Sequence, residues 1–184
     1  MNFYTADPHF FHGNILKYSN RPFASVAEMN GRILSSYQSV MTPEDDLWII
    51  GDVAVVSVAE ADKLTSMLAS VPGRKHLVAG NHDKPWMRGL DVWTSVHDLT
   101  EINDSGTWVT LCHYPMITFP GARRGAFQLF GHVHQNWRGS RNSVNIGVDV
   151  WNFRPVTLPE IRTRAERQAV NPLWGLVEPR TLIQ

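Results

Sequence analysis

Five times in this 184-residue chain a short apolar run ends abruptly in residues that bind cations or move protons. The five endings are Asp7-Pro8-His9, Gly51-Asp52, Gly80-Asn81-His82-Asp83, His113 after Leu111-Cys112, and Gly131-His132-Val133-His134. The third is the plainest. Lys75-His76-Leu77-Val78-Ala79 reads as a buried strand running into Gly80, where a Cβ would obstruct a sharp bend. Asn81 then offers a neutral oxygen, and His82 an imidazole that titrates near neutral pH. Singly, most of these endings are weak signals: Asp-x-His is common in surface turns, and an acidic residue often opens a loop. His132 and His134 are stronger, because two imidazoles two residues apart on an extended segment face the same way and need a partner. Asp7 and His9 are expected to converge for the same reason. Five such strand ends together constrain the fold to one that gathers the carboxyl ends of its strands at one place, as α/β sheets do.

The segments between these endings fit that requirement. Asn2 to Ala6 reads as a first strand, and Leu47-Trp48-Ile49-Ile50 as a second, buried on both faces. Ser25-Val26-Ala27-Glu28 has the capping-box pattern, and Val26, Met29, Ile33, Tyr37 and Val40 follow at helical spacing, giving a helix over about Ala24 to Met41. Ser57 to Glu60 repeats the box before Ala61, Leu64 and Leu68, and Pro72-Gly73 stops that helix. This β-α-β-α-β rhythm predicts parallel strands with helices packed on them. Lys84 to Gly89 is expected to be a short helix or turn. Beyond it the chain turns strand-rich: Val96 to Ile102, Thr107 to Cys112, Ala126 to Phe130 and Ser143 to Val148, with Asn103-Asp104-Ser105-Gly106 as a turn. Ile161 to Val170 reads as a charged surface helix, and Pro172, Gly175 and Pro179 bar long regular structure after it. The expectation is one domain over residues 1–184, with 160–184 as a C-terminal extension.

Composition narrows the function classes. Acidic and basic residues balance at 17 each, so no global field draws in a long polynucleotide, whose binding rests on phosphate neutralisation. Cys112 is the single cysteine, which excludes an intramolecular disulfide and fits a reducing compartment. No leader pattern opens the chain, and no window approaches the roughly 18 apolar residues of a membrane span. A cytoplasmic location is expected, the host cytoplasm if the chain is viral.

The set Asp7-x-His9, Gly51-Asp52, Gly80-Asn81-His82-Asp83, His113 and Gly131-His132-x-His134 resembles the calcineurin-like metallophosphoesterase superfamily, most of all its small stand-alone bacterial and phage members. Order and motifs match from residue 5 to about 150. The resemblance implies an α/β fold of two facing mixed β-sheets flanked by α-helices. It implies that Asp7, His9, Asp52 and His134 hold one divalent metal ion, that Asp52, Asn81, His113 and His132 hold a second, and that His82 binds neither and faces the leaving group. Mn²⁺ is the first expectation for both ions, with Fe or Zn²⁺ as alternatives, since carboxylate, amide and imidazole donors suit all three. The implied chemistry is phosphate ester hydrolysis by a hydroxide shared between the ions, with His82 supplying a proton to the departing oxygen.

One departure bears on the substrate. Protein phosphatases of the superfamily carry a second Asp three residues after the Gly-Asp carboxylate; here Val55 stands there, followed by Val56-Ser57. The partner of His82 is therefore unassigned, and small phosphodiesters such as cyclic nucleotides are expected rather than phosphoproteins. A nucleotide pyrophosphohydrolase, a phosphomonoesterase or a nuclease is the alternative within the fold, and a non-catalytic metal-binding scaffold is the alternative from another class. Arg123 and Arg124, in a Gly-flanked loop, and His12, Asn14 and Arg21, after Asp7, are candidates for the substrate side; solvated or purely structural roles weigh about equally for all five. The seven tryptophans read mainly as packing, a base-stacking role for Trp86 being the less favoured reading.

Overall fold

The structure, a computed structural model, describes residues 1–178. The chain begins with β1 (Asn2–Thr5), then α1 (Ile15–Tyr18), α2 (Val26–Gln38), β2 (Asp46–Ile50), α3 (Ala61–Ala69), β3 (Arg74–Val78), α4 (Pro85–Arg88) and β4 (Trp93–His97). It continues with β5 (Leu99–Asp104), β6 (Thr107–Cys112), β7 (Phe127–Phe130), β8 (Ser143–Asn145), β9 (Val156–Thr157), α5 (Leu158–Ala165) and α6 (Trp174–Val177). Two mixed sheets result. The first has the order β4-β3-β2-β1-β9 and the second β5-β6-β7-β8. In the first, β1 to β4 are parallel and β9 runs antiparallel to β1. In the second, β5 is antiparallel to β6, and β6, β7 and β8 are parallel.

Strand alternation decides which layer each side chain enters. Phe3, Leu47, Ile49 and Leu77 point outward and pack with Met29, Ile33 and Tyr37 of α2 and Leu64 and Leu68 of α3. Their sequence neighbours Tyr4, Trp48, Ile50 and Val78 point inward and meet Val109, Leu111, Leu129 and Val144 of the second sheet. Each such apolar side chain, fully buried, stabilises the fold by about 1.5–3 kcal/mol. A polar bond crosses the sandwich as well: the Tyr4 hydroxyl donates to Asp104 Oδ2 at 2.7 Å. Helix α2 starts where the capping signal lies, with Ser25 accepting from the Glu28 N–H at 3.1 Å.

Three sequence expectations are corrected. The single strand over Val96 to Ile102 is two strands, since β4 ends at His97 in the first sheet and β5 starts at Leu99 in the second. One alternating stretch serves an edge of each sheet, so periodicity carries no mark of the crossing at Asp98. The strand expected over Ser143 to Val148 stops at Asn145, where the chain leaves β8 to bridge Gly147 to Ala6. The charged surface helix expected over Ile161 to Val170 is α5, Leu158–Ala165, and it is no surface appendage: Leu158, Ile161 and Ala165 complete the core between the sheets. Ser105 and Gly106, both at positive φ (52° and 86°), form the two-residue turn between β5 and β6, the conformation that matches strand twist. Pro179 and the remaining tail lie outside the described residues. Among the described residues no helix is long and apolar enough to cross a membrane.

Candidate metal centre

The loops leaving β1, β2, β3, β6 and β7 at their carboxyl ends carry the five sequence endings. Backbone bonds hold the loops together: Asp7 N–H to the Gly51 carbonyl, His9 N–H to the Asp52 carbonyl and Gly131 N–H to the His113 carbonyl, each 3.0 Å. The loops are not extended. Asp7 (φ 54°), His9 (49°), Asp52 (56°), His132 (68°) and His134 (48°) all adopt left-handed backbone conformations. This corrects the expectation that Asp7–His9 and His132–His134 converge as alternate residues of extended segments. Such conformations cost of order 1–3 kcal/mol each in a non-glycine residue and persist where surrounding structure imposes them. Half of the ten positive-φ non-glycine residues described are in this one cluster.

Asp7, His9 and His134 place one donor atom each within 4.8 Å of one another, and Asp52, His113 and His132 do the same. Asp52 Oδ2 joins the two groups, lying 3.5 Å from His9 Nε2 and 3.4 Å from His113 Nε2. Asn81 Oδ1 comes within 3.2 Å of His113 Nε2, which adds it to the second group. Each group can hold a metal ion. The fit is supported by His9 Nε2, a buried nitrogen with no hydrogen-bond partner. Unsatisfied buried polar atoms are rare, and a cation between the donors satisfies this one. Two carboxylate, one amide and four imidazole donors shared between two positions are the chemistry of hard-to-borderline divalent cations.

The donors are oriented by the chain itself. The Asp7 carboxylate accepts the His132 N–H at 2.9 and 3.0 Å. Asp52 Oδ1 accepts the His82 N–H at 2.8 Å, leaving Oδ2 for the centre. Asp83, in the motif but given no role from sequence, accepts the N–H groups of Gly80 (2.8 Å), Asp52 (2.9 Å) and Val53 (2.8 Å), tying the β2 and β3 loops together. His113 donates from Nδ1 to the Ile50 carbonyl at 2.9 Å, and His134 from Nδ1 to Asp149 Oδ2 at 2.7 Å. Both bonds hold a ring proton on Nδ1 and turn Nε2 inward, as orienting partners of metal-ligating histidines do. Close approach requires small residues: a Cβ on Gly80 would lie 2.4 Å from Asp52 Oδ1, and one on Gly131 2.5 Å from Asp7 Oδ2.

Burial and mutual charge set the protonation of the metal-free site. Burial pushes the Asp7 carboxyl up to about 6, against the pull of His113 and His134. Burial also lowers His9 to about 4, keeping it neutral. For Asp52 burial opposes ionisation, yet the adjoining imidazoles of His113 and His9 prevail and hold it far below the usual carboxylate range. For His113 burial opposes the charge, but Asp52 and Asp7 outweigh it and raise the imidazole to about 9.

The outer candidates divide. His12 joins the site: its Nδ1 lies 3.3 Å from His9 Nδ1 and it lines a cleft of about 190 Å³ with His9, His82 and His134. Asn14 is exposed at the start of α1 and does not line that cleft. Arg21 is corrected: it does not line that cleft, and its buried guanidinium binds Asp149 (2.7 and 3.0 Å) and the carbonyls of Pro8 (2.8 Å) and Asp7 (2.7 Å). Arg123 and Arg124 are corrected too. Arg123 pairs with Glu178 at 3.0 Å. Arg124 lines a cleft with Thr107 and Trp108 at the start of β6, about 15–20 Å along the strand from His113 at ~3.3 Å per residue. Asp149 was missed, because a lone Asp after Gly147-Val148 carries no spacing signal. The His82 ring makes no side-chain hydrogen bond among the described residues; its ring neighbours are His9 at 5.3 Å and His12 at 6.3 Å. Trp86 packs against the helix-side core.

Fold and site together define a class: a two-sheet α/β sandwich with adjoining Asp/His metal-donor groups at its strand ends. No family model matches the chain. It is 31% identical to the uncharacterised protein MJ1445 of Methanocaldococcus jannaschii over 90% of this chain and 91% of that one. The chain belongs to the same family as MJ1445. The gene 66 protein of Mycobacterium phage L5 is 26% identical over 86% of this chain and 90% of its own. Among solved structures, AQ665 of Aquifex aeolicus, a protein of unknown function, superposes with a TM-score of 0.72 at 25% identity, over 89% of this chain and 98% of its own.

Proposed function

We propose that the chain is a dinuclear metal-dependent phosphoesterase acting on small phosphodiesters. The observation that carries this reading is Asp52, whose one free oxygen stands between two histidine-bearing donor groups. In this reading Asp7, His9, Asp52 and His134 hold one divalent ion, Asp52, Asn81, His113 and His132 the other. Two such ions supply Lewis acidity toward phosphate oxygens and an activated water as nucleophile. The chain's own residues do the rest. Strained, hydrogen-bonded loops fix the donors before any ion arrives. His82, exposed at the mouth and anchored through its backbone N–H to Asp52, delivers a proton to the leaving oxygen. Arg21 and Asp149 hold the β1 loop and His134 from below.

A small diester is favoured over a protein substrate because Val55 takes the place of the phosphatases' second Asp. Mn²⁺ is the ion to try first. The test compares hydrolysis of bis-p-nitrophenyl phosphate and p-nitrophenyl phosphate with Mn²⁺ in the wild type, Asp52→Asn and His82→Ala. Diesterase activity abolished in Asp52→Asn and reduced about 10²–10⁴-fold in His82→Ala is expected. A folded, metal-loaded wild type that turns over neither ester would defeat the reading.

A further inference from the structure

The cleft beside His82 has two walls with no structural employment. Tyr18, 73% exposed at the end of α1, stands edge-on to His12 at 6.3 Å, and its hydroxyl bonds to nothing among the described residues. Gln135 and Asn136 line the same cleft with carboxamides that likewise make no hydrogen bond among the described residues. Their backbone, by contrast, is pinned. Asn145, fully buried, donates to the carbonyls of His134 and Trp137 at 2.7 Å each, one on either side of the pair. The Asn136 N–H closes the turn onto the Val133 carbonyl at 3.0 Å. Ile15, buried and apolar, lines the cleft as well.

A rigid turn that presents free carboxamides to a cleft shared with an apolar side chain and an exposed aromatic ring suits a flat heteroaromatic group. The ring offers a face for stacking. A carboxamide offers a donor and an acceptor at once, the pairing that a base edge presents. A sugar or polyol would leave the Tyr18 face and Ile15 unused, and a simple alkyl group would leave both carboxamides unpaired. His82 opens onto the same cleft, so the group seated there is the one that carries the leaving oxygen.

We propose that this cleft is a nucleoside subsite, in which the base of a nucleotide ester lies against Tyr18 with Gln135 and Asn136 at its edge. The inference rests on the phosphoesterase reading and narrows it to esters with a nucleoside on the leaving-group side. Binding separates the two. The Mn²⁺-loaded protein is titrated calorimetrically with 2′- and 3′-adenosine monophosphate and, separately, with inorganic phosphate. The nucleotide is expected to bind at least about tenfold tighter than phosphate, a gap of the size that base stacking supplies. In the Tyr18→Ala/Asn136→Ala double variant that gap should close to within about threefold, whereas Tyr18→Phe, which keeps the ring, should retain it. Both residues are exposed, so the variants fold. Equal binding of nucleotide and phosphate by the wild type, or a preference that survives the double variant, removes the nucleoside subsite and leaves the metal centre standing. Failure of both ligands to bind removes the metal-centre reading and this inference with it.

Discussion

At the scale of single residues, the proton on His113 has a measurable consequence. Asp52 and Asp7 raise this imidazole to about 9 despite its burial, so at pH 7 the metal-free protein carries a proton where a metal would bind. An incoming ion must displace it. Binding of Mn²⁺ at pH 7 should therefore release at least about one proton, and affinity should rise with pH until about 9. Calorimetric titration in two buffers of different ionisation enthalpy reads the release; a heat independent of buffer would contradict it. Asp149 tests the layer behind the donors. It is the counter-charge of buried Arg21 and the acceptor for His134 Nδ1. Burial opposes its charge, but His134 and Arg21 hold its pKa below the usual value. Asp149→Asn keeps the shape and removes the charge. Metal affinity is expected to fall about 10–100-fold, and the fold to lose about 3 kcal/mol because Arg21 stays buried without its counter-charge. Metal titration followed by inductively coupled plasma mass spectrometry and thermal unfolding would measure the two losses.

At the scale of elements, the site depends on how closely the β7 loop approaches the β1 loop. Gly131 has an ordinary φ, so the constraint on it is space. A Cβ there would lie 2.5 Å from Asp7 Oδ2 and 2.6 Å from the Ala6 Cβ. Gly131→Ala must push β7 and its His132–His134 loop away from β1. Overpacking of this kind costs about 1–3 kcal/mol, and here the displaced loop carries one donor of each metal group. We expect a chain that still folds, with a lower melting temperature and fewer than two ions bound per protein after dialysis. Two ions retained at wild-type affinity would show that the loop gap has more tolerance than its geometry implies.

At the scale of the whole molecule, the two sheets must keep their alignment for five loops to meet. The Tyr4–Asp104 bond is a polar tie between their facing surfaces, and burial with the Asp104 hydrogen bond raises the Tyr4 phenol so far that it stays protonated as a donor. Tyr4→Phe should destabilise the protein by about 1–3 kcal/mol through the unpaired carboxylate it leaves, as read from denaturant unfolding. Metal affinity should be unchanged, because the apolar interface around it remains. Much of this molecule was already legible in the chain. The strand endings with their donors, the capped helices and the alternation that sorts Tyr4 inward and Phe3 outward are local patterns, set by side-chain chemistry and the periods of helix and strand. Other features have no local trace. The crossing at Asp98 between sheets, the left-handed turns that aim Asp7, His9, Asp52, His132 and His134, and the burial of α5 all depend on what lies across the sandwich. So does the division of the arginines. Arg21 turned inward because Asp149, 128 residues away, stands beneath the β1 loop, while Arg123 and Arg124 lie off the site because the chain leaves His113 and returns at the far end of β6. Sequence determined which groups the protein can bring to a metal centre; only the tertiary structure decided which of them face it, because facing depends on contacts between residues far apart in the chain.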